Sequence, residues 1–331
     1  MKARTTTVGG GGSSWLRIET VLVVMLVVLL VVFGRYGRNF WTAENFFEVI
    51  RLTVEIGLIA MVMTPVVLSG GIDLSVGSLL GLCGVVFGKL WRDVGMTPLA
   101  AAAGAIGVGA LGGCLNGLLI TRLRLPPLIV TLGSYSLFRG LAEAMTGGVD
   151  NFTGFPRDFL FLGQGYWFGF LPAQVPIFLG VSMGVWVLVH RTTMGRALRV
   201  IGYGREGAIY AGLPVDRHFL VLYTLAGLVV GCSSMIYVAH VGQAKADAGT
   251  GYELLAVTAV VLGGTSIFGG RGSVQGTFLG LMVLAVLKNG MTLSDLPSEL
   301  VGIVTGLLLL TVLTGEVLMK RIGKVGREGE G

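Results

Sequence analysis

The sequence predicts an all-α fold, a polytopic membrane helix bundle of about ten transmembrane helices with both termini cytoplasmic. Three observations carry that prediction. Of the 331 residues, 53% are hydrophobic and only 13% are charged, about half the charged share of a soluble domain. The charges are clumped, which leaves apolar stretches of roughly 20 residues, long enough to cross about 30 Å of hydrocarbon. Glycine supplies 55 residues, far above the usual share of about 7%. In an apolar chain, small residues let helices approach closely, and glycine breaks helices where a cavity is lined.

Composition also excludes some classes. A membrane bundle has no large aqueous core. The formal charge of +6 reports membrane orientation through the placement of Lys and Arg, and it does not point to nucleic acid. Cys83, Cys114 and Cys232 all sit in apolar segments without metal-ligand or pairing spacing, so they read as small hydrophobes.

Residues 1–14, "MKARTTTVGGGGSS", read as a flexible cytoplasmic tail. Residues 15–319 form the expected transmembrane domain, and 320–331 a basic cytoplasmic tail. The run Val21 to Phe33 is followed by Gly34-Arg35 instead of a small-residue cleavage site, so it reads as a retained first helix. The spans expected from hydropathy are 15–33, 46–68, 74–91, 98–120 and 127–145 in the first half. The second half gives 175–190, 219–239, 254–268, 274–288 and 300–318, the third and ninth spans being short and interrupted by glycine.

With the N-terminus in the cytoplasm, the inner segments are the N-terminal tail, 69–73, 121–124, 191–218, 269–272 and the chain from Lys320. They hold about 15 Lys and Arg against about 7 outside, as the positive-inside rule requires. Arg35 and Arg38 fall outside and are the local exceptions. Two loops are long. The outer one, 146–174, is rich in glycine and aromatics and suits packing on the bundle mouth or meeting a partner. The inner one, 191–218, is basic. Within it Gly204–Leu213 reads as a short helix of small residues, bracketed by Gly202 and Pro214. Such a helix suits a groove on another protein; the residues alone fit equally an ordinary basic inner loop.

The stretch "SGGIDLSVGS", Ser69 to Ser78, places two glycines and a carboxylate between apolar runs. Gly70 and Gly71 permit an unwound turn. Asp73 is placed to cap a helix starting near Leu74, with Ser75 and Ser78 in its first turn. The stretch reads either as a plain capped turn or as a broken helix lining a polar path. A second break, "VVLGGTSIFGGRGS" from Val260 to Ser273, has the same order of features and suggests an internal repeat. Within the spans, Arg51 and Glu55, and Arg139 and Glu143, stand at i,i+4 and are expected to pair on one helical face. Asn116, Thr131, Ser134 and Asn289 are uncharged polar residues suited to a path or to inter-helix hydrogen bonds. His190, His218 and His240 fall at span ends and read as plain interfacial residues.

No G-x-x-x-x-G-K-[ST], H-E-x-x-H or G-x-S-x-G occurs, so the chain carries no P-loop and no signature of those hydrolases. It is expected to be a non-enzyme, without metal or cofactor of its own.

Four segments, "GGIDLSVGS", "LPPLIVTLGSYSLFRGLA", "TTMGRALRVIGYGREGAIYAGL" and "AVVLGGTSIFGGRGSVQGTFLG", resemble the membrane permease subunits of bacterial ABC importers for monosaccharides, the ribose, xylose, rhamnose and autoinducer-2 group. The resemblance runs from about Phe46 to Leu318. It implies a path for a monosaccharide, formed with a second permease chain, identical or related, in the bacterial inner membrane. It further implies two ATP-binding cassette subunits, which use the ATP, and a periplasmic sugar-binding protein. In the family the inner loop holds the coupling helix that docks on the ATPase. Here Gly195-Arg196 matches its start and Gly202 to Gly212 its docking segment, through Gly204, Glu206, Ala208 and Ala211; Tyr203, Arg205 and Tyr210 depart from the usual pattern. By the same resemblance Asp73 opens a helix beside the path or its inner gate. Path or gate residues are then Asp73, Ser75, Asn116, Thr131, Ser134, Arg139, Glu143 and Asn289. Two other classes fit the residues: an ABC permease for branched-chain amino acids or nucleosides, and a secondary transporter coupled to H⁺ or Na⁺ through Asp73 or Glu143.

Overall fold

The structure is a computed structural model and describes residues 12–328. It is overwhelmingly helical. In the first half run α1 (Gly12–Tyr36), α2 (Ala43–Leu68), α3 (Val76–Arg92), α4 (Pro98–Arg122) and α5 (Pro127–Thr146). The long connection expected on the outer side follows, with β1 (Phe152–Thr153), α6 (Arg157–Gln164), β2 (Tyr166–Trp167) and β3 (Leu171–Pro172). The second half holds α7 (Val175–Arg191), α8 (Thr193–Tyr203), α9 (Arg205–Tyr210), α10 (Val215–Val241), β4 (Gln243–Ala244), α11 (Tyr252–Leu262), α12 (Val274–Leu293) and α13 (Ser298–Glu328). Residues 1–11 of the expected N-terminal tail lie outside the described residues, and α13 continues through most of the expected C-terminal one.

Local chemistry sets the helix limits. Thr42, Thr97, Thr192 and Ser273 each accept a hydrogen bond from the amide three residues on, which satisfies a donor that the first turn leaves open. Gly147 and Gly242 end α5 and α10 in the left-handed conformation, where a Cβ would be strained.

Among the described residues, four helices are long and apolar enough to cross a membrane: α1, α4, α10 and α12. The α7–α8 pair, bent by 69°, makes a fifth. That supports a helical membrane protein with fewer unambiguous spans than ten. The shortfall has visible causes. α3 has 17 residues and α11 only 11, and α5 carries Arg139 and Glu143.

The bundle is built around α2, whose residues from Thr53 to Leu68 are buried but for Ile56, and around the α4–α10 pair. There the backbones touch. A Cβ on Gly113 would stand 2.1 Å from the Tyr223 carbonyl oxygen, and one on Gly227 2.1 Å from that of Gly109. Only glycine permits this approach, and close backbone packing is what holds helices together where lipid removes the hydrophobic drive. Apolar side chains that face outward, such as Val24 and Val31 of α1 and Leu99 and Leu111 of α4, suit hydrocarbon.

The outer connection packs down on the bundle. Phe155 and Phe159 meet Phe87 and Trp91, the Phe87 and Phe159 rings stacking at 4.4 Å. β1 pairs antiparallel with β4, and β2 with β3. The tip stays exposed through Phe168 and Phe170.

Candidate functional site

The first break brings five of the expected path residues together. Ser134 of α5 donates from Oγ to Asn116 Oδ1 of α4 (2.5 Å). Asn116 Nδ2 donates to Ser75 Oγ (2.9 Å). Ser75 in turn donates to Asp73 Oδ1 from both its hydroxyl (2.6 Å) and its amide (2.9 Å). Thr131 Oγ1 donates to the carbonyl of the adjacent Ile72 (3.1 Å), which the Tyr223 hydroxyl also reaches (3.4 Å). The donors from Ser134 through Asn116 to Ser75 therefore point one way, toward the carboxylate, and such chains strengthen one another in a low dielectric. Each member is at least nine-tenths buried. Asn116 lies six residues, about 9 Å, from the end of its helix.

Asp73 does not cap as expected. α3 begins at Val76, and Asp73 instead closes a turn onto Ser75, two residues on. A carboxylate that close accepts from the nearest amide and hydroxyl before it can reach the second or third helical residue.

The other three expected path residues lie apart. Asn289 exchanges two hydrogen bonds with Asn45 (2.7 and 3.2 Å). Arg139 donates from Nη1 to the carbonyls of Ala246 and Ala248, and Glu143 is exposed, so the expected Arg139–Glu143 pair is absent. The cause is the segment after α10, which tucks against Gly81 and offers Arg139 fixed carbonyls. Arg51 and Glu55 do not pair either. Arg51 takes Glu48 at 2.7 Å. Glu55, 2% exposed, binds His240 Nδ1 at 2.6 Å and accepts from the Tyr252 hydroxyl at 3.1 Å. His240 is thus a half-buried partner that ties α10 to α2, and Tyr252 joins α11 to the same carboxylate. The 185 residues between it and Glu55 left no local signal.

The inner loop folds as two short helices, α8 and α9, where one was expected, with Gly204 the extended hinge between them. Arg196, Glu206 and Ala211 are exposed, Ala208 is buried, and Gly212 turns the chain with φ +79°. Tyr203 and Tyr210 project outward, Tyr210 at 90% exposure.

The loop reaches the breaks through Gly202. A Cβ there would stand 2.1 Å from the Leu68 carbonyl oxygen and 2.3 Å from the Gly270 amide. That amide donates to Leu68 at 2.8 Å. The two glycine breaks therefore meet each other, and α8 rests on the bond that joins them.

Comparison with known proteins adds the lineage. A family model described as "Branched-chain amino acid transport system / permease component" matches residues 45–313. The chain is 33% identical over 302 residues to the Autoinducer 2 import system permease protein LsrD of Escherichia coli strain K12, covering 90% of this chain and 91% of the relative. The protein of that name from Photorhabdus luminescens is 35% identical over 265 residues, 78% of this chain and 79% of the relative. No solved structure matches. The helical bundle, the paired breaks and these matches agree, and the chain belongs to the branched-chain amino acid transport system permease component family.

Proposed function

We propose that this chain is the permease subunit of an ABC-type importer in the bacterial inner membrane, moving a small polyhydroxylated, monosaccharide-like cargo. The observation that carries the reading is the contact of the inner loop with both breaks at Gly202. A motor that moves α8 would move the two segments flanking the buried relay. In this reading ten helices cross the membrane (α1 to α5, α7 and α10 to α13), and both termini are cytoplasmic. Two ATP-binding cassette subunits dock on α8 and α9 and use the ATP, for which this chain has no P-loop. A second permease chain completes the path, and a periplasmic binding protein delivers the cargo. Each partner binds one of two states better, outward-open or inward-open, and so shifts the population. The residues at the path or gate are Asp73, Ser75, Asn116, Thr131 and Ser134; Arg139, Glu143 and Asn289 stand outside that cluster. The proteins named for autoinducer-2 import support a sugar-like cargo, whereas the family description names branched-chain amino acids. Uptake of labelled ribose, rhamnose, autoinducer-2 and leucine separates these.

A mild-detergent pull-down of the tagged chain, with bound proteins identified by mass, tests the assembly. An ATP-binding subunit at about one copy per permease is expected. Its absence, where a control importer keeps its own, would favour the second reading. That reading is a proton-coupled transporter, supported by Asp73, a buried carboxylate held by a hydroxyl and an amide and not by a cation.

A further inference from the structure

Where α7 hands over to α8, a cavity of about 470 Å³ opens at the membrane face. Its walls carry His190 from the end of α7, Arg199 from α8 and Arg271 from the second break. Arg199 Nη2 lies 3.4 Å from His190 Nδ1. Among the described residues, neither guanidinium has a carboxylate within 4 Å. Glu19 of α1 is the one acidic residue on the lining. Gly272, Ser273 and Gln275 add the start of α12, a helix of 20 residues, whose N-terminal end carries partial positive charge while its Val274 and Gly276 amides are given to His190 Nε2 and Ser273 Oγ. Two forked cations and a helix start suit a group with three acceptor oxygens.

A second feature continues from the first. An apolar groove of about 620 Å³ shares Glu19 and Gln275 with the cavity and runs on between α7 and α12, past Leu179, Met183 and Phe278. These three side chains are exposed, and the groove wall is almost wholly apolar. A basic pocket opening into an apolar groove along a membrane helix has the shape of one amphiphile, phosphate at one end and hydrocarbon at the other.

We propose that this cleft binds an anionic phospholipid, its phosphate between Arg199 and Arg271 and one acyl chain along Leu179, Met183 and Phe278. The site is independent of the transport reading. It lies beside the glycine contact, because Tyr203 of the cavity wall packs on Gly270, so a bound lipid braces the α7–α8 corner.

The test uses the full chain, stripped of lipid in detergent, with native mass spectrometry as the readout. Phosphatidylglycerol and phosphatidylcholine with the same acyl chains are titrated separately, and inorganic phosphate in a third arm. Phosphatidylglycerol is expected to bind more tightly by about thirtyfold, from two basic residues at about 1 kcal/mol each. Arg199→Gln with Arg271→Gln should abolish that preference, and Arg157→Gln on the outer connection should keep it. Leu179→Trp, which fills the groove, should weaken phosphatidylglycerol binding and carries the test if the double variant does not fold. Equal binding of the two lipids, or no effect of the cleft variants, overturns the proposal. Inorganic phosphate binding at the same site without lipid also overturns it and assigns the pocket to soluble phosphate.

Discussion

Asp73 ends a chain of donors, and that arrangement makes its neighbours unequal. Replacing Asn116 by Ala strands the buried Ser134 hydroxyl and takes a donor from Ser75, which keeps its bond to Asp73; it should cost about 1–3 kcal/mol, seen as a lower melting temperature in detergent. Asp73→Ala removes the acceptor that holds the turn. It should reduce uptake by at least about tenfold while membrane insertion, read by immunoblot of membranes, stays near wild type; normal uptake would remove Asp73 from the mechanism. Asp73→Asn keeps an acceptor oxygen and loses the charge, so intermediate uptake assigns the role to geometry and null uptake to charge. On α2, Glu55→Ala removes the acceptor that holds His240 Nδ1 at 2.6 Å and the Tyr252 hydroxyl at 3.1 Å. The imidazole and the phenol hydroxyl then lose a shared buried acceptor, so the cost should be about 1–3 kcal/mol. Arg51→Gln removes a pair whose Glu48 side chain is 40% exposed, and should cost under about 1 kcal/mol. Equal melting temperatures for these two variants would contradict the burial argument.

Helices held by close backbone contact respond to volume at single positions. Gly113→Leu must displace the α10 backbone at Tyr223, and should give a chain that is degraded or fails to purify as a monodisperse species. Gly133, with nothing within 4 Å of its Cβ position, should accept alanine without change. The sequence made such elements legible to different degrees. Long apolar runs announced the main helices to within a few residues, as at 98–120 against Pro98–Arg122. The relay was half legible: serine, asparagine and aspartate in apolar runs marked themselves, but which of them meet depends on packing across three helices. α8 was missed because "TMGRALRVIGY" is amphipathic, with Arg196 and Arg199 opposite a buried apolar face, and so reads as loop beside strongly apolar spans. The i,i+4 pairs failed because tertiary partners took one member of each: carbonyls hold Arg139, and the His240 imidazole holds Glu55, which leaves Arg51 to Glu48 three residues back.

In the proposed topology the connection after α5 and the short helix α9 face opposite sides of the membrane. Glu206 is exposed on α9 and Val149 is exposed after α5. Single cysteines at these two positions should react with a membrane-impermeant maleimide from opposite sides, Val149→Cys in intact spheroplasts and Glu206→Cys only after lysis. The native thiols add little background, since Cys83 is buried and Cys114 and Cys232 are half-buried. Labelling of both from one side would require a different crossing number. The contact at Gly202 then sets how faithfully the inner end speaks to the middle. Most helix contacts run through side chains, whose rotamers absorb an ångström of displacement before the partner feels it. Here three strands of bare backbone touch, so the linkage has no backlash. Any shift of α8 has to appear at Leu68 and Gly270 at nearly full amplitude. Gly202→Ala would wedge that joint open, and an importer with this change should burn ATP without moving cargo, an engine turning with its clutch disengaged.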